Sequence, residues 1–136
     1  YAIRFISNAI CKTIFDRPIT LKQNRKFDYI AIDDLVPVIE HFAVSKPKEK
    51  AYNVTPDNSV ELLQLAELVR EISGKNLPIK VARPGLGVEY SGDNSRLKGE
   101  MKELCFTPLK EAVKKLYDWC LANKNLLNKE SLLIDK

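Results

Sequence analysis

The 136-residue sequence contains one histidine, one methionine, five glycines and three cysteines, and each scarcity closes a route to function. His41 has no second imidazole with which to complete a common zinc site, and on a predicted helix between Glu40 and Phe42 it reads as a structural residue. Cys11, Cys105 and Cys120 are odd in number, widely spaced and set in apolar patterns, so no disulfide framework or CxxC pair is present. They are expected to be buried thiols in a reducing cytosol. No apolar run approaches the length of a membrane span, and residues 1–15 carry Arg4 and Lys12 without a small-residue cleavage site, so a soluble, cytoplasmic protein with no membrane partner is expected. Charge is also sparse: 22 basic against 18 acidic residues leave a net +4, and the densest basic patch is only Lys46, Lys48 and Lys50. That falls short of the basic stripe with interleaved aromatics that nucleic acid requires. The sequence starts at Tyr1 and its methionine is Met101, so a missing upstream segment is expected.

What is present fits one soluble globular domain with a real core, 45% hydrophobic and 29% charged. Ile3, Ile6, Ile10 and Ile14 recur at helical spacing over 1–15, and Asp16-Arg17-Pro18 stops that helix. Residues 19–22 and 27–32 (FDYIAI) have strand character. Asp33 and Asp34 are placed to cap a helix carrying Leu35, Val38, Ile39 and Phe42 to about Ser45, with Pro37 tolerated in its first turn. A strand over 51–55 and a turn at Pro56-Asp57-Asn58 lead to a helix capped by Asn58 or Ser59. Its face is Leu62, Leu65, Ala66, Val69 and Ile72, and Gly74 is its left-handed terminator. A strand over 78–82 precedes an irregular stretch, 83–99, holding four of the five glycines; loops of that length in compact domains tend to carry function. Thr107-Pro108 opens a closing helix with Leu109, Ala112, Val113, Leu116, Trp119 and Cys120 on its face, ending near Ala122. The fold class is therefore α/β, a small mixed sheet with four main helices over residues 1–123, and 124–136 form a loosely attached tail.

No convergent catalytic set emerges. Asp33-Asp34 fits a helix start better than an acid/base pair, because adjacent side chains diverge. Gly85-Leu86-Gly87 fails as a dinucleotide fingerprint: Tyr90 holds the third glycine position and the stretch does not run from strand into helix. Arg83-Pro84-Gly85 puts a guanidinium at a strand end, where it is either a phosphate fork or a surface arginine. Gln23-Asn24-Arg25-Lys26 is either a solvated hairpin or part of an anion site.

Four segments in order resemble the C-terminal region of extended short-chain dehydrogenase/reductases that act on nucleotide sugars, the NAD-dependent epimerases and dehydratases. FDYIAIDDLV (27–36) is similar to the family's Arg-Asp-Tyr-Ile-x-Val-x-Asp-Leu, and AYNVTPDNSV (51–60) to its Tyr-Asn-(Val/Leu)-Gly segment. Arg83-Pro84-Gly85 with YSGDNSRL (90–97) resembles its Arg-Pro-Gly-Asp and Asp-x-Ser-Lys segments, and 107–119 its closing helix.

The resemblance implies a region that closes over a nucleotide-diphosphate sugar, while a missing N-terminal Rossmann domain carries NAD and a Tyr-x-x-x-Lys pair. Neither is in this chain: Tyr1, Tyr29, Tyr52, Tyr90 and Tyr117 are followed four residues later by Phe5, Asp33, Pro56, Asn94 and Leu121. The implied substrate contacts are Arg83, Arg25, Asn24 and Tyr90, with no catalytic, cofactor or metal residue. Arg83 matches the family's second phosphate arginine. The first falls at Phe27, and Arg25, two strand residues or about 7 Å away on the same side, is its substitute. Thr55-Pro56-Asp57 replaces the family's glycines, and Leu86 replaces an aspartate. Removal of the Rossmann half is expected to bare apolar surface and favour artificial self-association. The alternative from another class is a stand-alone binding or interaction module without catalysis.

Overall fold

A computed structural model describes residues 4–130; the first three residues of the predicted first helix and positions 131–136 of the predicted tail lie outside the described residues. Helix α1 (Phe5–Ile14) is buried all round from Asn8 to Ile14, because it runs through the middle of the molecule and not along its surface. Its end is a Schellman closure: the Arg17 N–H donates to the Lys12 carbonyl (2.8 Å) and the Asp16 N–H to that of Thr13 (3.2 Å), with Asp16 at φ +56°.

Strand β1 (Ile19–Asn24) turns Ile19 and Leu21 inward, and β2 (Lys26–Phe27) follows after one residue. Helix α2 (Ile32–Val44) begins inside the predicted strand, of which only Phe27 is paired. Ala31 is its N-cap, so Asp33 and Asp34 lie within the first turn instead of preceding it. Negative charge is still favoured there. Pro37 consequently falls in the second turn and has no N–H to offer the Asp33 carbonyl.

The released Asp34 carboxylate does other work. It accepts the backbone N–H (3.0 Å) and the hydroxyl (2.6 Å) of Thr107, which ties α2 to the start of the last helix. Thr107 is thereby drawn off the capping role expected of it, and Pro108 is the N-cap of that helix.

β3 (Val60–Glu61) pairs antiparallel with β2 and runs directly into α3 (Leu62–Ser73), whose Leu65, Ala66 and Val69 are fully buried. The cap is Glu61, not Asn58 or Ser59, and Gly74 ends the helix at φ +66° as expected. β4 (Ile79–Leu86) lies parallel to β1 in the register Ile19↔Ile79, Leu21↔Val81, Gln23↔Arg83. Both strands outrun the apolar stretches that announce them, because ladder hydrogen bonds do not require hydrophobic side chains. The small mixed sheet is thus one parallel and one antiparallel pair.

Two further elements depart from expectation. Residues 51–55 enter no ladder among the described residues and are held through side chains instead. The stretch 83–99, expected to be irregular, opens as strand and closes with helix α4 (Ser95–Glu100), a single turn and a half too short and polar to show periodicity. With α5 (Leu109–Ala122) the described residues form five α-helices, one more than the four main ones expected. A 3₁₀ turn, Lys124–Leu126, follows, and Leu127 joins the core.

The main core joins α1, β1, α3 and α5 through Ile10, Ile14, Ile19, Leu65, Val69 and Tyr117. Val38, Leu97 and Leu104 form a second, smaller cluster with Phe42 and Tyr52 beside it. Cys11 and Cys120 are buried in the main core, where their side chains hydrogen-bond to each other and the Cys11 thiol is pushed well up by that bond and by burial. Cys105, expected to be buried, is exposed after the Leu104 turn. Among the described residues no helix is long and apolar enough to cross a membrane.

Replacing Asp34 with alanine strips Thr107 of both acceptors in a part-buried setting. We predict a loss of about 2–3 kcal/mol in urea denaturation, the range for hydrogen bonds to a charged group; a change below about 0.5 kcal/mol would show the tie to be idle.

Candidate functional site

The junction of β1, β2 and α3 is organised by one residue. Asn24 Oδ1 accepts the Leu63 N–H (3.0 Å), and its Nδ2 donates to Glu61 Oε2 (2.7 Å). The neighbouring N–H groups are also taken: Leu62 donates to the Arg25 carbonyl (2.9 Å), and Gln64 donates to the Glu61 side chain in a capping box. The first three donors of α3, which are orphans in any isolated helix, are all satisfied. This helix start is therefore closed to an outside anion, and the Asn24 side chain is committed to structure at both of its polar ends.

Across the strand end, the pairing Gln23↔Arg83 is the last regular one. Pro84 has no N–H for the ladder, Gly85 takes φ +79°, and the register slips so that Asn24 stands opposite Leu86. The chain beyond then follows β1 and β2 stepwise. Gly87 N–H donates to the Asn24 carbonyl (2.8 Å), Tyr90 N–H to that of Lys26 (3.0 Å), and Gly92 N–H to Asp28 Oδ2 (2.7 Å). Glu89 secures the same stretch by accepting from Ser91 (2.7 Å) and Ser59 (3.2 Å), and these hydroxyls, Ser91 first, hold its carboxyl below the usual range. From the other flank, Asn53 Nδ2 donates to the Asp93 carbonyl (3.0 Å), Thr55 Oγ1 to that of Gly92 (3.1 Å), and Asn94 Nδ2 to that of Thr55 (2.9 Å).

This frame borders a cavity of about 660 Å³. Arg4, Lys22 and Arg25 bring three cations to it, and Phe27 and Tyr90 set two rings at its edge, 6.0 Å apart and tilted by 45°. Its one carboxylate, Asp28, is engaged by the Gly92 N–H. The balance is cationic, which favours an anionic ligand, and the rings offer apolar faces for a planar group. Tyr29 also lines it, its phenol pushed up to about 12 by burial, which outweighs the opposing pull of Arg4. At neutral pH it stays protonated and is a donor, not a base.

Two of the four residues singled out in the sequence, Arg25 and Tyr90, line this cavity. Arg83 is one strand away; parallel register partners project to the same face, so it stands on the side of Gln23, which does line it. Asn24 is adjacent but engaged with α3. Arg4, Lys22, Phe27 and Asp28 were not foreseen. Nothing local marks them: they come from α1's N-cap, from β1 and from the end of β2, which only the tertiary fold brings together.

His41 is remote from the cavity, its Nε2 3.6 Å from Glu100 Oε1, and Glu100 in turn accepts from the Tyr52 hydroxyl. Among the described residues no group of three or more His, Cys, Asp or Glu could hold a metal ion. A second cavity, about 390 Å³, is almost wholly apolar, lined by Ile6, Ile32, Leu65, Val113 and Leu116 among others. It adjoins α2, whose Ile32, Val36 and Ile39 form an i, i+4, i+7 stripe 72%, 47% and 58% exposed.

No family model matches the chain, and neither does any curated protein. Solved structures do. The enzyme WbmF of Bordetella bronchiseptica, in complex with NAD⁺ and UDP, matches with a TM-score of 0.77 at 17% identity, over 96% of this chain and 39% of its own. UDP-glucuronic acid 4-epimerase from Bacillus cereus, in complex with UDP-glucuronic acid and NAD, matches with a TM-score of 0.72 at 18% identity, over 93% and 41%. A GDP-L-fucose synthetase from Naegleria fowleri bound to NADP matches with a TM-score of 0.72 at 14% identity, over 92% and 41%. At these identities the likeness is one of fold. The chain spans about two fifths of the length of each, and the match falls on their C-terminal portion.

The division of labour at the junction separates two neighbouring side chains. Asn24→Ala should cost about 1–2 kcal/mol in chemical denaturation, the worth of a helix cap. Arg25→Ala should cost less than about 0.5 kcal/mol, since only its carbonyl serves α3. Equal losses from both would contradict this assignment.

Proposed function

We propose that this chain is the substrate-binding part of an NAD-dependent nucleotide-sugar epimerase or dehydratase of the extended short-chain dehydrogenase/reductase type, and that its cavity grips the nucleotide diphosphate. The observation that carries the reading is the cationic cavity at the β1–β2 junction, with Arg25 and Tyr90 on its wall and Arg83 on the adjoining strand face. Its support from outside is that structures sharing the fold over this region were solved with UDP or UDP-glucuronic acid.

In this reading Arg25 and Arg83 supply planar donor forks to the diphosphate, Tyr90 and Phe27 flank the nucleotide, and Asn24 acts at one remove by holding Arg25 in place. Binding energy from these remote groups is what orients a reacting sugar. In this reading NAD is held elsewhere than in the described residues. Gly85 lies near the end of β4 and Gly87 just beyond it, and no helix follows until Ser95, so the pair presents no helix N-terminus to a pyrophosphate. The cofactor and the proton-transfer groups belong, in this proposal, to a Rossmann half that also covers the apolar stripe of α2. Without that half, the bared stripe favours self-association with no physiological meaning. A cytoplasmic location accords with the same reading.

In the intact protein, Arg83→Ala should raise the KM for the nucleotide sugar by roughly ten- to a hundredfold, the equivalent of one charge-assisted contact. A substrate panel of UDP-, dTDP- and GDP-sugars identifies the nucleotide. An unchanged KM would remove Arg83 from the clamp, and failure of every nucleotide sugar to bind would remove the function.

A further inference from the structure

Gly74 and Gly85 are explained by positive φ, with open space around both. Gly87 is different. Its backbone does not need a glycine, but a side chain there would displace two others. A Cβ built there would lie 2.8 Å from Gln23 Oε1, 2.9 Å from Arg25 Nε and 3.0 Å from Arg25 Cγ, so that both side chains would have to shift to admit it. Both of those side chains line the cationic cavity. Nor can Gly87 retreat, because its N–H is bonded to the Asn24 carbonyl at 2.8 Å, which fixes its backbone against the end of β1.

We propose that Gly87 is a positioning residue: the bare Cα forms the notch over which the Arg25 stem lies, and so sets where the guanidinium meets the diphosphate. The inference rests on the proposed reading of the cavity as a nucleotide-diphosphate site. Arg25 is a long side chain with several rotatable bonds, and the notch admits the conformation that puts its guanidinium on the cavity wall, which a Cβ at position 87 would deny it. Two constraints thus converge on one arginine. The α3 cap fixes its backbone through Leu62, and the Gly87 notch makes room for its side chain. A methyl group at 87 leaves the first intact and removes the second, displacing Arg25 and Gln23 together from the cavity wall.

The test is a double-mutant cycle on the intact protein, with UDP as probe by calorimetry and uridine, which lacks phosphate, as control by ligand-observed NMR. Gly87→Ala should weaken UDP binding about tenfold while changing uridine by less than about twofold, because a lost charge-assisted contact is worth at least that much. Arg25→Ala should do the same, and the double variant should bind no more weakly than Arg25→Ala alone. Wild-type affinity in Gly87→Ala, additive losses in the double variant, or equal weakening of UDP and uridine would each overturn the proposal. Should Gly87→Ala fold poorly, removing both clashing partners with Gln23→Ala and Arg25→Ala must restore its melting temperature to that of the Gln23→Ala/Arg25→Ala variant; no restoration counts against the notch. The two readings fail separately. An unaltered protein that does not bind UDP overturns the functional reading, whereas UDP binding that Arg25→Ala weakens and Gly87→Ala does not overturns only the role of Gly87.

Discussion

The start of α3 is the point from which the site is built. A helix presents bare N–H groups at its N-terminus, and burying them against β1 and β2 requires an acceptor for each. Asn24, the Arg25 carbonyl and Glu61 supply them. Because two of those acceptors belong to consecutive residues at the strand junction, satisfying the helix also fixes the backbone that carries Arg25. The Glu61 carboxylate adds negative charge where the helix dipole favours it. Adjacent residues therefore differ in employment: Asn24 gives its side chain to the helix, and Arg25 gives only its carbonyl, while its side chain lines the cavity.

The same economy explains two positions at which the sequence departs from the family it resembles. Thr55 and Asp57 stand where glycines are usual, and both have structural employment: Thr55 accepts from Asn94 and donates to the Gly92 carbonyl, and Asp57 binds Asn94 and Lys98. They latch the stretch that carries Tyr90. Phe27 stands where an arginine is usual and lines the cavity with its ring against Tyr90, while the cation comes from Arg25 nearby. Nothing in the structure explains the leucine at position 86, which is half exposed.

Much of the fold was legible because it rests on local periodicity. The α3 face, its termination at Gly74 and the closing helix from Leu109 were readable from apolar spacing and turn chemistry alone. The errors came where long-range partners override local signals. FDYIAI has strand composition, yet helix α2 takes over at Ile32 once Asp34 finds Thr107 across the domain. Residues 51–55 have strand composition and no ladder partner among the described residues. Of the residues that line the cavity, Arg25 and Tyr90 had been singled out through charge and resemblance. Asn24 was picked for the chemistry of its amide, which the structure turns toward α3. Arg4 and Lys22 were missed, since only the tertiary fold brings α1's cap beside the end of β1.

The central claim is that the cavity at the β1–β2 junction holds a diphosphate, and the most direct measurement is a crystal structure of the intact protein with UDP. The account predicts phosphate oxygens within hydrogen-bonding distance of the Arg25 guanidinium, with the nucleotide against Tyr90. UDP bound elsewhere, with Arg25 and Tyr90 making no contact to it, would contradict the account.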